Sequence, residues 1–204
     1  MSNNITESCR DIKALNPLCR LLLSLALDEI EKKGVTPLIV ETYRSQARQN
    51  YLYEQGRTRP GGKITWTLNS IHSKKNAVDL IPQRKINGRM TAIWNTNDPQ
   101  TQIIITTMEK YAFEAGANWS SSPDSPHFQI KGVSVNGKEY SQYNTNGYIT
   151  RMIQKALNKE LGIHLVEDGK WGSLTTAAVN DFRKKNGWSK NGKLGVKALR
   201  KLLG

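Results

Sequence analysis

Long apolar runs are missing from this chain of 204 residues. Its most apolar stretch, Leu21 to Leu27, is seven residues long. That is too short to cross a bilayer, which excludes a membrane-embedded protein. Cysteine is scarce. Cys9 and Cys19 stand near one end and make neither a disulfide framework nor a thiolate zinc site. Both read as free thiols, Cys19 half-buried on a helix. Acidic residues are few beside basic ones, 17 Asp and Glu against 30 Lys and Arg, for a net charge of +13. An acidic disordered chain is thereby excluded. The charge calls for an anionic partner without choosing among nucleic acid, a membrane surface and a cell-wall polymer. The first residues carry Glu7 and Asp11 and no apolar core, so no signal peptide is read there. Synthesis in the cytoplasm is expected, with another exit route for any work outside.

What is present divides the chain in two. Asn16 caps a first helix, Pro17 suits its first turn and Gly34 comes just after its end. Leu18, Leu21, Leu22, Leu25 and Ile30 recur along it at helical spacing. A strand is expected over Leu38 to Tyr43, then a short helix capped by Ser45 and stopped at Gly56. Arg57 to Ser70, with Pro60-Gly61-Gly62, reads as a loop. Ala77 to Ile81 reads as a short buried strand. Asp98-Pro99 opens a helix running to about Ala115, and Phe128 to Ile130 reads as another strand. Val133 to Tyr140 contains an Asn136-Gly137 turn.

Tyr140 to Gly147 is polar and lacks aliphatic side chains, the composition of a linker. Beyond it, Tyr148 to Gly204 holds 12 Lys and Arg against 4 Asp and Glu, a net of +8. Gly169-Lys170-Trp171-Gly172 recurs there as Gly192-Lys193-Leu194-Gly195, preceded by Asp168 and Asn191. Each copy leads into a helical pattern, and a third helix, Ile149 to Leu161, precedes both. Three short helices joined by glycine-rich turns make a small bundle. The division expected is 1–140, a linker at 141–147, and 148–204.

Two of the three histidines sit where chemistry is possible. His72 ends the loop, and Asp79 lies between Val78 and Leu80 in the next strand. A carboxylate among apolar neighbours is costly to bury without a partner or a metal. His127 enters a later strand three residues after Asp124. Two histidines and one carboxylate make three zinc ligands and leave a position for water, the composition of a catalytic rather than a closed site. Asp124 is then left to take a proton from that water. The plainer readings are a solvated histidine at 72 and an ordinary turn at Asp124-Ser125-Pro126. Arg44 alone reads as a salt-bridge residue, Glu41 as solvated, His164 as packed or partly exposed. Trp66, Trp94 and Trp119 are core or cleft residues.

The pattern Ser70-x-His72, Ala77-x-Asp79 and, far downstream, Asp124-x-x-His127 resembles the zinc motif of the LAS metallopeptidases of the M15 family. These include D-alanyl-D-alanine peptidases and L-alanyl-D-glutamate endopeptidases. Thr42-Tyr43-Arg44-Ser45, Gln49 and Gly56-Arg57-Thr58 resemble the upstream block of the endopeptidases. Pro60-Gly61-Gly62-Lys63-Ile64-Thr65 is similar to the loop that comes next in those enzymes. The resemblance spans about residues 10 to 131. It implies zinc on His72, Asp79 and His127, Asp124 as general base, Arg44 at the oxyanion and Ser70 behind the ligands. It implies an α+β zinc peptidase domain with helices packed on a small antiparallel sheet. Asn76 stands where the family has Gly, which predicts a positive-φ position filled by the next-best residue. Gln129 stands where many relatives have Glu.

The tail is similar to the three-helix, all-α peptidoglycan-binding module of cell-wall hydrolases. The likeness rests on Gln154-x-x-Leu157-Asn158, Asp168-Gly169-x-x-Gly172-x-x-Thr175, Ala178-Val179-x-x-Phe182 and Gly192-x-x-Gly195. Together the resemblances imply a monomeric wall hydrolase of the phage endolysin type. It would wait in the host cytoplasm and then cut stem peptides between L-alanine and D-glutamate, with zinc as cofactor and peptidoglycan as partner. A D-alanyl-D-alanine carboxypeptidase with the same site is the near alternative. A non-catalytic wall-binding protein and a basic nucleic-acid-binding protein are the others. Against the last, the tail has no recognisable nucleic-acid motif.

Overall fold

The computed structural model describes residues 5–130, 139–140 and 147–204. In chain order the elements are α1 (Pro17–Lys32), β1 (Thr36–Glu41), α2 (Gln46–Glu54), β2 (Ala77–Ile86), β3 (Arg89–Ala92), α3 (Pro99–Lys110), β4 (Glu114–Ala115), β5 (His127–Gln129), β6 (Glu139–Tyr140), α4 (Gly147–Leu161), α5 (Ser173–Lys185), β7 (Leu194–Gly195) and α6 (Val196–Leu203). The helix starts obey the caps in the sequence. Asn16 and Asp98 accept from the backbone N–H two residues on, and Ser45 from that of Arg48. Among the described residues no helix is long and apolar enough to cross a membrane.

The N-terminal sheet is antiparallel, ordered β1-β2-β5-β4, with β3 on the far half of β2. Strand β2 runs five residues beyond the Ile81 expected from sequence. It turns through Asn87 and Gly88, both at positive φ, into β3. Asn-Gly is a strong hairpin signal, and it extends the expected strand into a hairpin. Helix α3 ends at Lys110, earlier than expected. Ala112 takes a positive φ there and the chain extends into β4. Leu18, Leu21, Leu22 and Ile30 of α1 are fully buried with Ile104 and Met108 of α3, above Val78, Leu80 and Phe128 of the sheet. At about 25 cal/mol per Å² of apolar surface, burial of that set is the main force closing the domain. Cys19 is buried in this core rather than half-buried, and both cysteines are free.

Period two in β2 then dictates the rest. Val78 and Leu80 point into the core, so Asp79 points to the other face. There the register sets Glu41, Asp79 and His127 in one row across β1, β2 and β5. Residues paired across antiparallel strands share a face.

The tail forms helices α4, α5 and α6. In both copies of its short repeat a side chain closes the turn: Asp168 accepts from Lys170 N–H at 2.8 Å and Asn191 from Lys193 N–H at 3.0 Å. Gly169 and Gly192 are both at positive φ. Each turn delivers the chain to the next helix. Gln154, buried on α4, accepts from Gly169 N–H and donates to Asp168. Strand β7 pairs with β6, so residues 139–140 join the tail by backbone pairing. Helix α6 also rests on α1. The expected turn at Asn136-Gly137 and the linker residues 141–146 lie outside the described residues.

Candidate active site

Strand pairing brings Asp79 beside His127, and a loop brings the third group. Residues 70–76 form a tight turn. Ser73, Lys74 and Lys75 donate back to Ser70, Ile71 and His72, and Ser70 Oγ accepts from His72 N–H at 3.2 Å. The positive φ falls on Lys75, at 61°, and not on Asn76 as expected. The reversal is completed one residue early, and Asn76 already leads the strand, its carbonyl accepting from Ile130.

His72 Nε2, His127 Nδ1 and Asp79 Oδ1 converge. Their separations are 3.2 Å between the two nitrogens, 3.1 Å from His72 to Asp79 and 3.3 Å from His127 to Asp79. A tetrahedral ion with bonds of about 2.0–2.1 Å needs ligand atoms about 3.3 Å apart. The triangle therefore fits a small tetrahedral cation. Among the described residues it is the group of three side chains that could hold a metal ion.

The tautomers suit that task. His72 Nδ1 lies 2.6 Å from the Thr42 carbonyl, which only accepts, so Nδ1 carries the hydrogen and Nε2 keeps its lone pair. His127 Nε2 lies 3.1 Å from Gln129 Oε1, and Gln129 Nε2 donates to Glu114 at 2.8 Å. The acceptor-only Glu114 thus sets the Gln129 amide, which sets the ring and leaves Nδ1 facing Asp79. Partners behind the ligands fix ring orientation and donor strength. Burial acts to raise the Asp79 carboxyl, but the His72 charge and hydrogen bonds from His127 and His72 outweigh it. They hold Asp79 well below the usual carboxylate range. Burial opposes charge on His127, yet the Asp79 hydrogen bond and charge raise its pKa. Those bonds belong to doubly protonated rings; in the tautomers set by Thr42 and Gln129 the lone pairs face Asp79, and a bound cation would supply the positive charge in their place.

Asp124 lines the same cleft. Its carbonyl accepts from His127 N–H and its N–H donates to Gly116. A Cβ at Gly116 would sit 2.5 Å from that Asp124 carbonyl, so only glycine lets the turn close. Shielding by the cleft walls, then the Asp79 charge, push the Asp124 carboxyl up, against the pull of His127, His72 and Arg44. A carboxyl raised beside a metal-ligating trio is suited to move protons.

Arg44 completes the cleft, its Nη2 3.6 Å from Asp79 Oδ2. Glu41, read from sequence as solvated, is instead 3% exposed. It accepts from Arg44 Nε at 2.9 Å and from Arg48 Nε at 2.6 Å. Alternation in β1 suggests an outward carboxylate, but α2 folds back and puts Arg48 over it. Gln49 accepts from Arg44 Nη1 at 3.0 Å and donates to Thr67 O at 2.6 Å, tying the arginine to the loop that walls the cleft. The cleft encloses about 650 Å³, with Ile64, Trp66 and Asn69 on one side and Trp119 and Ser121 to Pro123 on the other. Trp66 is 68% exposed there. Trp119 lies 5.2 Å from the His127 ring and donates to Glu114. Trp94 is exposed and outside the cleft, and His164 is exposed and outside the metal-ligating group.

Comparison with known proteins places two family matches on the chain. Residues 63–130 match the M15 peptidase family described as D-alanyl-D-alanine carboxypeptidase. Residues 146–202 match the putative peptidoglycan binding domain. The peptidoglycan L-alanyl-D-glutamate endopeptidase CwlK of Bacillus subtilis (strain 168) is 31% identical over 107 residues, 48% of this chain and 62% of the relative. The chain thus spans less than two thirds of that relative's length. Among solved structures, the L-Ala D-Glu endopeptidase ChiX of Serratia marcescens aligns with a TM-score of 0.47 and 25% identity. That alignment covers 63% of this chain and 94% of ChiX.

Proposed function

We propose that this chain, whose residues 63–130 match the M15 peptidases and residues 146–202 the peptidoglycan-binding domain, is a zinc-dependent wall hydrolase that cuts the L-alanyl-D-glutamate bond of stem peptides. The observation that carries the reading is the His72, Asp79, His127 triangle at tetrahedral spacing, open on the side of a cleft that holds Asp124 and Arg44. Zinc, when bound, supplies Lewis acidity at the scissile carbonyl and a water of lowered pKa. Asp124 accepts the proton of the attacking water and hands it to the leaving amine. Arg44 directs its spare N–H groups at the oxygen on which negative charge develops. The activity named for the Bacillus subtilis relative supports this choice of bond. The description of the matched family favours the second reading, release of terminal D-alanine by the same groups.

Zinc-loaded protein incubated with purified sacculi should yield muropeptides with a new N-terminal D-glutamate by mass spectrometry. Release of free D-alanine instead moves the assignment to the carboxypeptidase. No cleavage of either bond by zinc-loaded protein overturns both.

The division of labour belongs to the same proposal, with 1–140 catalytic, 141–147 a linker and 148–204 holding the enzyme on the wall. A chain ending at Gly147 should still cleave soluble muropeptides but be retained less by sacculi in a pull-down. If its thermal melt is lost, the tail belongs to one core with the peptidase, through the α1 and α6 contact. Retention by the +8 tail should weaken as salt is raised, because screening at 0.1 M already acts over about 10 Å. We place the protein in the host cytoplasm until lysis and at the wall thereafter, as a phage endolysin.

A further inference from the structure

Arg44 stands between two carboxylates that want different things from it. On one side is Glu41, buried and directly across from Asp79 in the sheet. On the other is Asp79 itself, 3.6 Å from Nη2. Arg44 has five N–H donors in a rigid fork. Nε and one N–H of Nη2 go to Glu41 Oε2, and one N–H of Nη1 goes to Gln49. That leaves one N–H on Nη1 and one on Nη2, the latter nitrogen 3.6 Å from Asp79 Oδ2, in an arginine that lines the cleft. The second oxygen of Glu41 is taken by Arg48, which is anchored on Ile5 O and Ser8 Oγ. Glu41 therefore cannot follow Arg44 if the arginine moves.

We propose that Glu41 is a positioning residue that restrains Arg44, aiming its two spare donors at the cleft and keeping the guanidinium from closing on the metal ligand Asp79. A bidentate pair of Arg44 with Asp79 would occupy the carboxylate oxygens that a cation needs. Loss of the Glu41 charge would also leave the site one unit more positive, and both effects oppose cation binding. The inference rests on the reading of His72, Asp79 and His127 as metal ligands.

The test is zinc affinity of the full chain, measured by competition with a chromophoric chelator and without substrate. Glu41→Gln should weaken zinc binding by about 10- to 100-fold, the range seen when a group behind the ligands is lost. Adding Arg44→Met to Glu41→Gln should return the affinity toward the wild-type value, since the intruding cation is gone and the two charge changes cancel. Arg48→Gln unpins Glu41 but leaves its charge on Arg44, and should weaken binding by less than Glu41→Gln does. In hydrolysis, zinc-saturated Glu41→Gln should lose kcat by about 10²–10³, as when one oxyanion donor is removed, with KM little changed. Glu41→Asp should recover part of it.

Unaltered zinc affinity in Glu41→Gln overturns the proposal. So does an equal loss in the double variant or in Arg48→Gln, because the carboxylate then acts on the fold and not through Arg44. A wild-type chain that takes up no zinc sinks the metal-site reading beneath it, a result distinct from the other three.

Discussion

Asp79→Asn should yield a folded protein that holds no zinc after dialysis and cleaves nothing. The side chain contributes the one acidic group of the triangle, and its carboxyl is held well below the usual carboxylate range. An amide of the same shape keeps a weak oxygen donor but removes the charge that offsets a divalent cation. Chelation of the wild-type chain should reproduce the loss, and added zinc should restore activity to the wild type alone. Elemental analysis with a lysis assay reads both results. Full lysis in excess chelator, with zinc shown to be gone, would defeat the metal reading. The fold should tolerate the change, since Asp79 lies on the cleft face of β2 while the core is closed by Val78 and Leu80 on the other.

Asp124→Asn should lose activity while keeping its metal. Asp124 sits in the turn before His127, held by the close approach to Gly116, and its carboxyl is pushed upward by the cleft walls and the Asp79 charge. Asparagine preserves the turn hydrogen bonds, which are made by backbone groups, but cannot accept a proton. General base catalysis contributes about 10²–10⁴-fold, so kcat on a soluble muropeptide should fall by about that factor. Zinc content should stay at the wild-type level. The pair of variants is decisive together. Should Asp124→Asn lose its zinc while Asp79→Asn keeps it and stays inactive, the assignments of ligand and base are interchanged.

Several features are legible in the sequence because they are local. The caps Asn16, Ser45 and Asp98 announce helix starts, since each side chain bonds a backbone N–H within three residues. The tail's repeat announces two equivalent turns for the same reason. The Asn87-Gly88 turn is equally local, yet the strand beyond it does not declare itself. Short β3 has two exposed residues and half of a strand pattern, so periodicity lends it no support.

The candidate site divides along the same line. Residue chemistry alone singles out His72, Asp79, His127 and Asp124. A carboxylate in an apolar strand and an aspartate three before a histidine need explaining wherever the chain goes. Resemblance supplies Arg44 and Ser70. The groups behind the ligands are invisible in the sequence. Glu41 alternates in β1 as a solvated residue would, and only α2 folding back makes it the buried partner of two arginines. Glu114 reaches Gln129 because β4 pairs with β5, a contact across 15 positions that a two-residue strand does not advertise. The positive φ at Lys75 depends on how the 70–76 turn meets β2, so the expectation for Asn76 falls one residue off. Short-range bonds and strand period two are properties of neighbouring residues, and they determined the helix starts, the tail turns and the outward face of Asp79. Register between strands, and which loop closes over which face, are set by packing of α1 and α3 on the sheet. Only that tertiary packing decided that three side chains able to hold a metal meet at the corners of one tetrahedron with Glu41 and Glu114 behind them.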